Sequence, residues 1–135
     1  MPRAVTDSSD TGDAAIDLKA VRDALRVELQ ARGFEVASDT GGLKGELYIL
    51  GAGDVALALF EFKTSAGEAL ETMYQGSWLE GMPPRFAVVP SCASDDRAIE
   101  VLEQVRIVPL MFEASPAGTR FRDLDRLLRE HVGAA

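Results

Sequence analysis

Cysteine and histidine are nearly absent from the 135 residues: there is one of each, Cys92 and His131. A single thiol excludes an internal disulfide, and no zinc centre built from clustered Cys and His is possible, so any metal must sit on oxygen ligands. The two residues are also too isolated to suggest a nucleophile and its base. Cations are in short supply, with 14 Lys and Arg against 22 Asp and Glu and a formal net charge of −8. A field of that sign repels phosphate backbones at long range, which disfavours opportunistic nucleic-acid binding and leaves room only for a local basic groove. No apolar run approaches the ~20 residues that a membrane-spanning helix needs, so a transmembrane protein is excluded. The first segment, MPRAVTDSSDTGDAA, has no apolar stretch of the signal-peptide kind. The expectation is a flexible tail over residues 1–14, residence in the cytoplasm and no membrane partner.

What is present is the composition of one globular domain, 47% hydrophobic and 27% charged, here placed over residues 15–135. Leu18, Val21, Leu25 and Leu29 recur at three- and four-residue intervals, which predicts a helix over 16–32, capped by Asp13 or Asp17 and stopped at Gly33. Phe34 to Val36 is a short apolar stretch, and Asp39 to Gly42 is a turn. GELYIL (45–50) and VALALFEFKT (55–64) flank Gly51-Ala52-Gly53-Asp54 and read as an antiparallel hairpin. A second helix is predicted over 66–79, with Leu70, Met73, Tyr74 and Trp78 on its apolar face, ended by Gly81 and Met82-Pro83-Pro84. Phe86 to Val89 has the look of a buried strand. Asp95 to Gln104 reads as a helix, Ile107 to Phe112 as a strand that Pro109 demotes to an edge or a bulge, and Phe121 to Val132 as a last amphipathic helix. Such alternation predicts an α/β architecture, one mixed sheet with an α-β-β-β-α-β core and an additional C-terminal strand and helix.

The hairpin concentrates the chemistry. Alternation along its second strand puts Glu61 and Lys63 on one face and Phe60 and Phe62 on the other. With Ala52 and Gly53 as the turn, Tyr48 faces Leu57 and Glu46 faces Leu59, so Glu46 and Tyr48 join the Glu61 face. Two carboxylates beside an ammonium suit metal-assisted phosphodiester cleavage, in which acids hold Mg²⁺ and the lysine orients water or stabilises charge on the phosphate. The plain alternative is a solvent-facing Glu61–Lys63 ion pair on a sheet edge, contributing no more than ~1 kcal/mol.

The order of elements and the residues Gly45-Glu46-Leu47 and Phe60-Glu61-Phe62-Lys63-Thr64 resemble the PD-(D/E)xK nuclease-like superfamily, the fold of many restriction enzymes and Holliday-junction resolvases. The likeness of pattern runs from about Ile16 to Val132 and that of motif covers some twenty residues. It implies a restriction-endonuclease-like fold for 15–135 and Mg²⁺- or Mn²⁺-dependent hydrolysis of DNA, by an endonuclease or exonuclease that often works as a homodimer. On this resemblance Glu46 and Glu61 are the metal ligands and Lys63 the residue near the attacked phosphate. Where relatives place the metal-binding Asp of the first motif this chain has Tyr48, and a neutral phenol is a poor ligand for a hard dication. Glu46, two residues earlier on the same face, is the substitute. The alternative is a catalytically degenerate nuclease-like fold that serves as a binding or assembly module, and a third is an unrelated α/β domain with a surface Glu-Lys pair.

Further candidates carry less. Asp54 is explained as a turn residue. Glu28 lies at the edge of the first helix's apolar stripe, where the superfamily often supplies another acid, and an exposed helical Glu explains it equally. Gln75 falls where some relatives carry a glutamine that positions the nucleic acid. Trp78 fits the core better than a base-stacking role. Arg122, Arg126 and Arg129 alternate with Asp123, Asp125 and Glu130, which favours a solvated face laced with ion pairs.

Overall fold

The computed structural model describes residues 17–38, 47–73, 83–91 and 96–133. The expected tail, the turn at 39–42, Cys92, Tyr74, Trp78 and two of the candidate site residues, Glu46 and Gln75, lie outside the described residues. Among those described, four helices and six strands alternate as α1 (Leu18–Ala31), β1 (Glu35–Ser38), β2 (Leu47–Leu50), β3 (Ala56–Phe62), α2 (Ala66–Met73), β4 (Arg85–Pro90), α3 (Asp96–Gln104), β5 (Ile107–Ser115), β6 (Gly118–Phe121) and α4 (Leu124–His131). This is an α/β architecture with one mixed sheet. No described helix is long and apolar enough to cross a membrane.

Helix α1 begins where the Asp17 carboxylate accepts from the backbone N–H groups of Lys19 and Ala20, at 3.1 and 3.2 Å, satisfying two of the first-turn donors that no helix can pair internally. It ends at Gly33, whose φ of 91° lets the chain turn back while its N–H donates to the carbonyl of Gln30. Val21, Leu25 and Leu29 form its buried stripe.

The strands lie in sequence order, β1 to β6. β1, β2 and β3 form an antiparallel meander, β3, β4 and β5 run parallel, and β6 returns antiparallel to β5. The parallel pairs need crossovers, and α2 and α3 supply them. Each strand sends alternate side chains to opposite faces. One face packs Leu47, Ile49, Ala58, Phe60, Phe62, Phe86, Val88, Leu110 and Phe112 against α1 and α4. The other packs Ala87, Val89 and Ile107 against Ala66, Ala69 and Met73 of α2 and Ala98 and Leu102 of α3. Phe60 and Phe86 stack across the β3–β4 junction with ring centroids 4.5 Å apart.

Three local expectations change. The hairpin closes through a short 3₁₀ turn at Ala52–Asp54 in which Gly53 takes φ 72°, and the ladder slips between Ile49 and Leu50. Tyr48 therefore faces Leu59 rather than Leu57. A two-residue shift preserves the face of every side chain, so the grouping of Tyr48 with Glu61 survives the wrong register. β5 is not an edge strand over its whole length, yet β6 pairs only with Phe112 to Ser115. Around Pro109 the side of β5 away from β4 carries no partner strand among the described residues, which is how the missing N–H is tolerated. Finally, Gly118 to Phe121 is a strand, so Phe121 ends it instead of opening the last helix, which runs Leu124–His131; Phe121 is drawn into the sheet opposite Phe112, their rings 6.5 Å apart.

Because Phe60 is fully buried between helix α1 and the Phe86 ring, Phe60→Ala should cost about 3–5 kcal/mol. Val27→Ala, at a position 63% exposed, should change stability by less than about 0.5 kcal/mol. Urea unfolding of the two variants checks the contrast, and a small effect at Phe60 would contradict the core assignment.

Candidate functional site

Strand β3 is flanked by β2 and β4, so it is interior to the sheet. Its run Phe60-Glu61-Phe62-Lys63 sends the two phenylalanines into the α1/α4 core and presents Glu61 toward the α2/α3 side, as the alternation requires. Glu61 is 7% and Lys63 4% exposed. A solvent-facing pair on a sheet edge is therefore overturned: both charges are inside. Lys63 follows the last strand residue and its N–H donates to the Val88 carbonyl at 3.0 Å, extending the parallel pairing by one step.

The chain then turns directly into α2 through a variant of the capping box, in which the acid reaches the residue before the cap. Ser65 Oγ accepts from the Glu68 N–H at 3.0 Å, while Glu68 Oε1 accepts from the Thr64 N–H at 2.7 Å and from the Thr64 hydroxyl at 3.0 Å. Thr64, the last residue of the E-x-K-T motif, is thereby tied to the helix start, and Lys63 is pinned between a strand ladder and a cap.

Sequence reasoning did not single out Arg85. It is 8% exposed, begins β4 opposite Leu59, and so shares the face of Glu61. Its Nη2 and Nε donate to Glu61 Oε2 at 2.7 and 3.3 Å, and its Nη1 donates to the Met73 carbonyl at the end of α2, at 3.1 Å. Lys63 Nζ stands 3.7 Å from Glu61 Oε1. One carboxylate thus serves two cations. The signal available beforehand was slight: a lone arginine between Pro83-Pro84 and a continuous apolar run.

A divalent cation demands free carboxylate oxygens in an octahedral or larger shell. At this face Glu61 Oε2 already accepts two hydrogen bonds from Arg85, Oε1 faces an ammonium, and the neighbouring strand offers the half-buried phenol of Tyr48. Among the described residues this face therefore offers a metal ion no unengaged carboxylate; Glu46, the other expected ligand, lies outside them. The described residues include no group of three or more His, Cys, Asp or Glu side chains placed to hold an ion.

Glu28 is not brought to this site. It lies on α1, which packs against the opposite face of the sheet, and its Oε1 accepts from Arg32 Nη1 at 2.7 Å. Arg32 also reaches α4, donating to Asp125 at 2.6 Å. The Arg32 hydrogen bond holds the Asp125 carboxyl below the ordinary aspartate range. On α4, Arg126 pairs with Asp123 and Glu130 at 3.1 and 3.3 Å, and Arg122 with Glu113 at 3.0 Å. Arg122 and Arg126 thus form the solvated, ion-paired face expected of them.

The charge count orders three substitutions. Glu61→Gln leaves two buried cations without a counter-charge and should cost about 3–5 kcal/mol. Arg85→Met leaves the balanced pair Glu61–Lys63 and should cost less, about 1–3 kcal/mol, mainly from the lost donors. Lys63→Met should cost less than about 1 kcal/mol, since Arg85 still neutralises Glu61. Denaturant unfolding of all three tests the order, and a Glu61→Gln variant as stable as Lys63→Met would contradict it. For Asp125, whose folded pKa is depressed, the linked stability is present above the unfolded value and lost as pH falls through the folded one. An NMR titration should show its midpoint below that of an ordinary aspartate, rising toward the ordinary value in Arg32→Ala; an unchanged midpoint would show that Arg32 does not tie α1 to α4 through Asp125.

No family model matches the chain, and no curated protein or solved structure matches it.

Proposed function

We propose that the chain is a PD-(D/E)xK nuclease-like domain of restriction-endonuclease-like topology in which the metal-dependent centre is degenerate, so that it acts as a binding or assembly module and not as a nuclease. The architecture is supported by the element order α-β-β-β-α-β and by the sheet order β1-β2-β3-β4, antiparallel up to β3 and parallel beyond it. It is supported also by the position of Glu61 and Lys63 at the end of the third strand. Fold-level likeness alone does not establish an activity. The loss of catalysis rests on one observation, the commitment of Glu61 Oε2 to Arg85 through two hydrogen bonds, with Tyr48 in place of an acid as its companion. In this reading DNA is a partner held without a metal, and a homodimer is the assembly that relatives of this kind suggest.

The test is a calorimetric titration of the wild-type chain with Mg²⁺ and Mn²⁺, run beside cleavage assays on single- and double-stranded DNA. The expected result is no saturable binding of either ion and intact DNA, with any retention of DNA in fluorescence anisotropy unchanged by EDTA. Mg²⁺-dependent cleavage that disappears in Glu61→Ala or Lys63→Ala would overturn the reading in favour of an active nuclease using Glu46, Glu61 and Lys63.

A further inference from the structure

We propose that Arg85 is an internal replacement for a metal ion, and that this guanidinium, more than the phenol of Tyr48, keeps divalent cations off the Glu61 face. The inference rests on the degenerate reading above and names the residue responsible for it.

Three observations carry it. The first is charge. Among the described residues Glu61 contributes −1 while its partners Arg85 and Lys63 contribute +2, so this cluster is net positive; with Arg85 removed, Glu61 and Lys63 balance. The second is the lone pairs. Glu61 Oε2 accepts from both Nη2 and Nε of Arg85, at 2.7 and 3.3 Å, and these are oxygen sites that a hard cation would need.

The third is rigidity. Arg85 is buried, starts β4, and uses its remaining arm to hold the Met73 carbonyl at the end of α2, 3.1 Å away. It joins β3, β4 and α2, and moving it aside would break three hydrogen bonds at once. A planar fork that meets a carboxylate and a carbonyl together is a task for arginine specifically.

Tyr48 is placed differently. It lies on β2 opposite Leu59, on the Glu61 face and one strand away. A carboxylate introduced there would add an acid to the face while Arg85 still occupied Glu61. Restoring the acid alone therefore leaves the block in place.

The experiment compares wild type, Tyr48→Asp, Arg85→Gln and the double variant Tyr48→Asp/Arg85→Gln, with Mn²⁺ alone as the probe, read by calorimetry and by the loss of free-ion electron paramagnetic resonance signal. Glutamine retains an amide donor for the Met73 carbonyl, and Arg85→Met in the same backgrounds serves if the glutamine variants do not give a cooperative thermal transition. The expected pattern is no saturable Mn²⁺ binding by wild type or Tyr48→Asp. The double variant should bind about tenfold or more tighter than Tyr48→Asp alone, and the gain should vanish when Glu61→Gln is added. Saturable binding by Tyr48→Asp with Arg85 in place, or a folded double variant without the gain, would overturn the role of Arg85 and leave the degenerate reading standing. Wild-type binding that depends on Glu61 would instead overturn the degenerate reading itself.

Discussion

Toward its end β3 is buried on both faces, and alternate side chains of opposite character go to opposite sides there. Phe60 and Phe62 go to the α1/α4 side, where Phe60 stacks on Phe86. Glu61 goes to the other side, where no apolar partner can satisfy it. Burial of a carboxylate is tolerable only with a compensating charge and hydrogen bonds, and Arg85 from β4 supplies both. The β3–β4 parallel pairing, the position of α2 over that junction and the start of β4 at Arg85 all meet at this one anion.

The same interaction underlies the proposal that this site is not a metal centre. A carboxylate that accepts two hydrogen bonds from a rigid guanidinium is already neutralised and oriented. Lys63, pinned between the Val88 carbonyl and the capping box of α2, adds a second positive charge from the other side. The arrangement has the residue types of a hydrolytic centre together with the donor pattern of a buried ion network. The proposal of a degenerate nuclease-like domain follows from that distinction between the architecture, which the order of strands supports, and the site, which the donor set on Glu61 describes.

The outer face of the fold is held by weaker means. Arg32 bridges Glu28 of α1 to Asp125 on α4, and Arg126 of α4 pairs with Asp123 and Glu130. Much of the basic character apparent in the composition is consumed locally by acids, as exposed ion pairs of modest energy. This leaves the net charge of −8 a poor guide to any ligand.

Local signals in the sequence determined the α/β class, the hairpin, the first helix, the buried Phe86–Val89 strand and the division of Glu61 and Lys63 from Phe60 and Phe62. Each depends on spacing within a few residues, which periodicity and capping chemistry report directly. The hairpin register escaped because it was settled by a left-handed Gly53 and a slipped ladder, and β6 because four residues beside a turn carry no period of their own. Only the tertiary structure decided what Glu61 is. Its partner lies 24 residues away, brought beside it by a parallel strand pairing that no local pattern encodes. A long-range contact between two buried charges leaves no periodic trace in a chain, although it decides whether a carboxylate binds a metal or holds a fold together.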